Sequence, residues 1–253
     1  MNDKIIKKLL KLSHELGLEP RQMIILSEGN VSALTNDGNF LVKASGTYLG
    51  SLAKEDLSLV NMESILNLLE RDAMTDEEIA LELTNSLLDK THKRPSVESF
   101  LHALCLSEGE AKYVAHTHTI SVNHILCSEH GAKPFMGHLF PDAIVVCGNK
   151  PAVVPYIDPG FQLAKSIQTE LKRYKKEHGK APKLLLMENH GPIALAQTAN
   201  EALNIMLMAD KWAKVLWGNI AIGGAKFLSK KEVERIDSRL DEHYRRRLLD
   251  NNG

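Results

Sequence analysis

The sequence predicts an α/β fold in which helices are layered on a sheet, and three observations carry that expectation. Short apolar or β-branched runs alternate loosely with stretches of helical periodicity along the chain, and such elements bury their apolar faces by packing on one another. The composition is 43% hydrophobic and 25% charged, which supplies enough apolar surface for a sizeable core. No internal repeat, low-complexity tract or linker rich in Pro and Ser divides the 253 residues, so residues 1–253 are expected to form a single domain.

The elements follow in order. Ile5, Leu9, Leu12 and Leu16 recur at helical spacing and predict an amphipathic N-terminal helix. Met23–Leu26 reads as a short strand running into Ser27-Glu28-Gly29-Asn30, and Phe40–Ala44 as a second that stops at Ser45-Gly46. Glu63 to Arg71 is helical. Thr75 and Glu78 form a capping-box pair for a further helix that must end before Pro95. Lys112–His118 is a strand feeding a helical stretch from Ile120 to Cys127, and Ala143–Cys147 is a buried β-branched run. Helices are expected over Phe161–Lys176, Ala199–Trp217 and Lys230–Leu249, with a strand at Leu184–Glu188.

A net charge of −1 gives no global electrostatic case for nucleic acid or for an anionic membrane surface. No run approaches the length of a membrane span, and the N-terminal lysines precede no signal-peptide apolar stretch. The three cysteines, Cys105, Cys127 and Cys147, are widely spaced and lack a C-x-x-C pair. They read as small core residues in a reducing compartment. A soluble cytoplasmic protein is expected.

Chemistry gathers at a few positions. His116 and His118 lie two apart in a strand, where alternation points both imidazoles to one face with Cβ atoms roughly 6–7 Å apart. Two neutral imidazoles so placed can share a divalent ion, although an H-x-H pair also occurs on strands without one. His190 sits at the end of the Leu184–Met187 run, just before Gly191-Pro192, and strand ends are where sites gather in α/β sheets. As a third ligand it completes the three-residue set that leaves a metal open to substrate. Glu98 is the candidate acid/base. Pro95 excludes Arg94 from a helix and Ser96 can cap the one that follows, so Glu98 falls in its first turn, where a favourable dipole interaction is the simpler role. His102, one turn on, reads as a packed or hydrogen-bonded histidine. The turns Gly29-Asn30-Val31-Ser32 and Ser45-Gly46-Thr47 have the composition of a phosphate nest, or of ordinary turns.

In chain order these pieces are G-N-V-S, A-S-G-T, P-S-V-E, H-T-H and N-H-G. Together they resemble the class II aldolase/adducin family, which includes sugar-phosphate aldolases, a ribulose-phosphate epimerase and a dehydratase. The resemblance implies an α/β/α sandwich around a largely antiparallel or mixed sheet. It also implies one divalent ion per chain, zinc by expectation, held by His116, His118 and His190. Glu98 would match the acid/base, and Gly29, Asn30, Ser45, Gly46 and Ser96 would match positions that hold the phosphate of a small-molecule phosphorylated sugar. Val97 departs from the pattern, because these aldolases often have a second serine there. Retro-aldol cleavage through a metal-stabilised enediolate, in a homotetramer, is the activity the resemblance implies. A tyrosine such as Tyr156 or Tyr244 would serve as the second acid. Epimerase, dehydratase or decarboxylase chemistry on the same platform is the alternative, and Asp142 keeps the epimerase open. A non-catalytic adducin-like module is the rival of another class.

Overall fold

The computed structural model describes residues 2–242, Tyr244 and Leu248. Among them, seven strands form one sheet: β1 (Asn30–Leu34), β2 (Phe40–Lys43), β3 (Leu57–Val60), β4 (Tyr113–His116), β5 (Ala152–Val154), β6 (Leu184–Met187) and β7 (Gly191–Ala196). Their order is β3-β2-β1-β4-β7-β6-β5. Every neighbouring pair is antiparallel except β5 and β6, so the sheet is mixed and largely antiparallel, as the resemblance implied.

Strand alternation divides the core between the two faces. Val31, Ala33, Tyr113, Ala115, Leu184, Leu186, Ala194 and Ala196 pack with one set of helices. That set is α1 (Asp3–Leu16), α5 (Ile120–Leu126), α6 (Pro141–Cys147) and α8 (Ala199–Ile220). Phe40, Val42, Val114, Leu185, Met187, Ile193 and Leu195 face the other set: α2 (Met62–Leu68), α3 (Asp76–Asn85), α4 (Ser99–Ser107) and α7 (Phe161–His178). Helices therefore cover both faces in three layers. The segment from Asn61 to Lys93, to which sequence reasoning assigned no role, is part of this cover. Met62, Ile65, Leu68, Leu69, Ile79, Leu83 and Leu87 all lie in the second core cluster.

Local signals held where they were strong. Leu9, Leu12 and Leu16 are buried along α1. The Thr75–Glu78 capping box forms, and α3 stops at Asn85, well short of Pro95; such a cap contributes about 1 kcal/mol.

Four departures have physical reasons. Met23–Leu26 is a loop, because Gln22 and Leu26 adopt left-handed φ of 53° and 57° and bend the chain away from extension. Ala143–Cys147 is buried, but helical, in a helix started by Pro141. The strand expected through His118 ends at His116. The helix expected over Lys230–Leu249 forms as α9 (Lys230–Asp237), which stops at Ser238; Leu249 lies outside the described residues.

Candidate active site

Three elements bring the histidines together. His116 is the last residue of β4, in a strand buried on both faces. His118 lies in the turn beyond it, held by its backbone N–H donating to Met23 O at 3.1 Å. His190 precedes β7 in a tight turn, where Asn189 has a φ of 55° and the Asn123 side-chain amide donates to His190 O at 3.0 Å. Gly191 makes the turn possible. A Cβ there would lie 2.3 Å from Thr117 O, a backbone atom that cannot step aside.

Glu98 reaches the same point from the start of α4. Its backbone is fixed on both sides: its N–H donates to Ser96 Oγ at 3.3 Å, and its carbonyl accepts from His102 N–H at 3.1 Å. Its side chain makes no cap bond. Oε1 instead lies 3.4 Å from His116 Nε2 and 3.5 Å from His190 Nε2. His116 Nε2 and His118 Nε2 are 3.0 Å apart. One ligand atom from each of the four residues lies within 4.8 Å of the others.

These spacings fit a cation. Arms of about 2.0–2.1 Å in a tetrahedron place neighbouring donors roughly 3.3–3.4 Å apart. The tautomer of His116 is also right for it: with Nδ1–H donating to Pro192 O at 3.0 Å, the Nε2 lone pair faces the cluster.

Electrostatics ties the group together. Burial alone would push the Glu98 carboxyl up, but the charge and hydrogen bonding of His116, with help from His190, hold it well below the usual range. Burial works to lower His116, and the Glu98 carboxylate outweighs it and raises the imidazole. His118 is pushed down to about 3 by burial and by its histidine neighbours, so it presents a neutral ring. His102 is packed, as expected. It is fully buried, its Nδ1 is 2.7 Å from Ser32 Oγ, and burial takes it to about 3.

The expected phosphate positions divide. Asn30 stands directly opposite His116 in the pairing of β1 with β4. It is buried, and neither Oδ1 nor Nδ2 has a hydrogen-bond partner, a state that costs free energy unless a ligand satisfies it. Gly29 precedes it with φ +71°, where a Cβ would lie 2.9 Å from His116 O. Ser45 and Gly46 are exposed at the end of β2, and Ser45 N–H donates to Arg94 O at 3.0 Å, which ties that turn to the segment carrying Ser96. Val97 packs with the second core cluster. The Tyr156 hydroxyl donates to Asp158 at 2.8 Å. Tyr244 is exposed. Asp142 sits in the first turn of α6, 3.7 Å from Lys211.

Two residues escaped sequence reasoning. Lys43 closes β2 and is almost fully buried. Its Nζ donates to Ser27 O at 3.1 Å and to Thr47 O at 2.8 Å, joining the two glycine turns. Burial lowers its pKa, while Glu98 and Asp56 act to raise it. The signal was present: a lysine ends an apolar strand immediately before Ala44-Ser45-Gly46. Glu28 is the other, with Oε2 3.2 Å from His118 Nδ1.

Comparison with known proteins agrees with this architecture. The chain belongs to the class II aldolase/adducin family: the model of the Class II Aldolase and Adducin N-terminal domain matches residues 7–217. The N-terminal class II aldolase domain of a conserved protein from Thermoplasma acidophilum superimposes with a TM-score of 0.68 at 27% identity, over 84% of this chain and 93% of that one. An uncharacterized oxidoreductase, YuxG of Bacillus subtilis, is 30% identical over 202 residues, which are 77% of this chain but only 27% of that protein. The 3-oxo-tetronate 4-phosphate decarboxylase of Escherichia coli K12 is 28% identical over 197 residues, 76% of each chain.

Proposed function

We propose that this protein is a divalent-metal-dependent carbon–carbon lyase that cleaves a phosphorylated ketose or related sugar acid by a retro-aldol reaction. The convergence of His116, His118 and His190 Nε2 with Glu98 Oε1 carries the reading. The three histidines would hold the ion, with zinc suited to a neutral imidazole set that leaves a coordination position open. Bound there, it would supply Lewis-acid stabilisation of the enediolate charge.

The chain's own groups do the rest. Asn30, whose buried amide lacks partners, would bond substrate oxygen beside His116. Lys43 and the turns at Gly29, Ser45, Gly46 and Ser96 would receive the phosphate, with Lys43 supplying positive charge from below. As the C3–C4 bond breaks, its electron pair passes to the enediolate, the C4 hydroxyl releases its proton to solvent, the aldehyde departs, and the Glu98 carboxylate takes up a proton from solvent in its place. Glu98 then delivers a proton to C3 of the remaining three-carbon fragment. That role suits a carboxylate buried beside two imidazoles better than an interaction with its own helix.

A second reading is decarboxylation of a 3-oxo sugar acid phosphate. There the bond to the carboxylate carbon breaks, carbon dioxide leaves, and Glu98 protonates the carbon that remains. Similarity to the Escherichia coli decarboxylase over 76% of both chains favours it. Incubation of the zinc-loaded protein with phosphorylated ketoses and with 3-oxo sugar acid phosphates, products read by mass spectrometry, separates the two. Aldehyde release supports the first reading and carbon dioxide the second. Neither product from metal-loaded protein would overturn lyase function.

Assembly and location belong to the same reading. We take the protein as a homotetramer, supported by exposed Trp217, Ile220, Ile222 and Phe227 near the end of α8, apolar surface that association would cover. Light scattering that reports a monomer at micromolar concentration would refute this. Cytoplasmic residence is supported by three free cysteines and by the absence, among the described residues, of any helix long and apolar enough to cross a membrane.

A further inference from the structure

We infer that Glu28 is the positioning residue of His118: its carboxylate accepts a hydrogen bond from Nδ1–H and so holds the ring with the Nε2 lone pair facing His116. This rests on the metal-centre reading above and extends it to a residue that touches neither ion nor substrate.

The reason begins with where β4 stops. His116 is inside the sheet, so the carbonyl of Pro192 on neighbouring β7 accepts from its Nδ1 at 3.0 Å. His118 lies two residues beyond it, past the end of β4, and its ring bonds no main-chain carbonyl of the sheet. Glu28 does the corresponding job. Its Oε2 lies 3.2 Å from His118 Nδ1, an ion-pair contact between the carboxylate and the imidazole.

The carboxylate is itself held in place. Oε1 accepts the backbone N–H of Ile25 at 2.6 Å, and Glu28 N–H returns a bond to Ile25 O at 3.4 Å. Leu26, inside that turn, has a φ of 57°, a conformation that a residue with a branched apolar side chain keeps only when its surroundings impose it. The same loop grips the backbone of His118 through Met23 O and of Ile120 through Gln22 O at 3.1 Å. Residues 22–28 thus fix both the main chain and the ring of His118. This gives a reason for the loop where the apolar run Met23–Leu26 suggested a strand. An anionic acceptor on the distal nitrogen also makes the imidazole a stronger donor through Nε2.

The test uses the full chain and zinc ion alone. Affinity is measured by competition with a chromophoric chelator for wild type, Glu28→Gln and Glu28→Ala. Imidazole tautomers in the metal-free proteins are read from two-bond 1H–15N spectra. Glu28→Ala should weaken zinc binding roughly 10–100-fold, the usual consequence of removing such a partner. It should also shift His118 towards a mixture of tautomers while His116, held by Pro192, keeps its own. Glu28→Gln retains an acceptor oxygen and should restore the tautomer and much of the affinity. A merely structural role for the loop would move neither ring selectively.

Wild-type zinc uptake with unchanged affinity and an unchanged His118 signal in Glu28→Ala overturns this inference and leaves the metal centre standing. A wild-type chain that takes up no zinc overturns the metal centre and this inference with it. Should Glu28→Ala fail to fold, the Gln variant decides. A His118 signal as in wild type with reduced, measurable affinity supports the inference, and a disordered His118 tautomer despite the acceptor oxygen refutes it.

Discussion

Replacing Glu98 with Gln removes one negative charge from the centre of the site and changes almost nothing else. The two side chains are isosteric, and the Glu98 bonds that start α4 run through its backbone, to Ser96 Oγ and from His102 N–H. The side chain caps nothing. The variant should therefore fold. It should also keep its metal, since the three histidines remain. What it loses is the proton carrier. A positioned acid/base contributes roughly 10²–10⁴-fold, which at about 1.4 kcal/mol per factor of ten is about 3–5 kcal/mol in the barrier. Overall kcat should fall by that factor. A more selective assay follows exchange between solvent deuterium and the enediolate-carbon hydrogen of a three-carbon ketose phosphate, a half-reaction that needs no aldehyde. Exchange should be lost with turnover. Were Glu98 present only for its helix dipole, substitution would cost under about 1 kcal/mol of stability and leave exchange untouched. Wild-type exchange in a metal-loaded Glu98→Gln protein would thus refute the proton-transfer role while leaving the metal centre intact.

Other expectations follow from the same geometry. His118→Ala should abolish tight zinc binding, because two ligands hold an ion far less well than three; full occupancy by elemental analysis would contradict the site. Asn30→Ala deletes a buried amide with no partners, so it should leave unfolding free energy within about 1 kcal/mol of wild type, cavity cost offsetting relief of the orphaned groups. KM should nevertheless rise, and equal KM in both proteins would remove Asn30 from the binding site. His102 supplies a pH dependence. Its folded pKa of about 3 lies below the reference 6.5, so below about pH 6.5 the unfolded chain binds a proton that the folded chain refuses. Stability of the metal-free protein should then fall as pH drops from about 6.5 towards 3, with up to about 1.4 kcal/mol per pH unit from this residue. Denaturant titrations of His102→Gln should show a slope between pH 6 and 4 smaller by about one proton; an unchanged slope would mean His102 is not buried neutral.

What the sequence by itself determined is what short-range chemistry encodes. Periodic leucines marked α1, a capping box marked α3, and the order of five short motifs marked the family and put forward Glu98 and the three histidines as candidates, which the structure brings together. Four strands escaped it. β1 and β7 read as Asn-Val-Ser-Ala-Leu and Gly-Pro-Ile-Ala-Leu-Ala. β1 starts at Gly29-Asn30 and carries Ser32, the composition of a turn, while β7, buried along its whole length, shows no polar alternation and has a proline near its start, which argues against a central strand. β3 and β5 are only four and three residues long. Two of these four strands carry the site's geometry, since β7 provides the carbonyl that orients His116 and β1 places Asn30 opposite it. The tertiary structure alone could decide that the Met23–Leu26 run is a loop gripping His118. It alone could show that Lys43 is drawn beneath two turns and that Glu28 backs a ring ninety residues away. Such pairings are set by which strands meet across the sheet, and the burial energy that selects them is shared over the whole core and written in no local pattern.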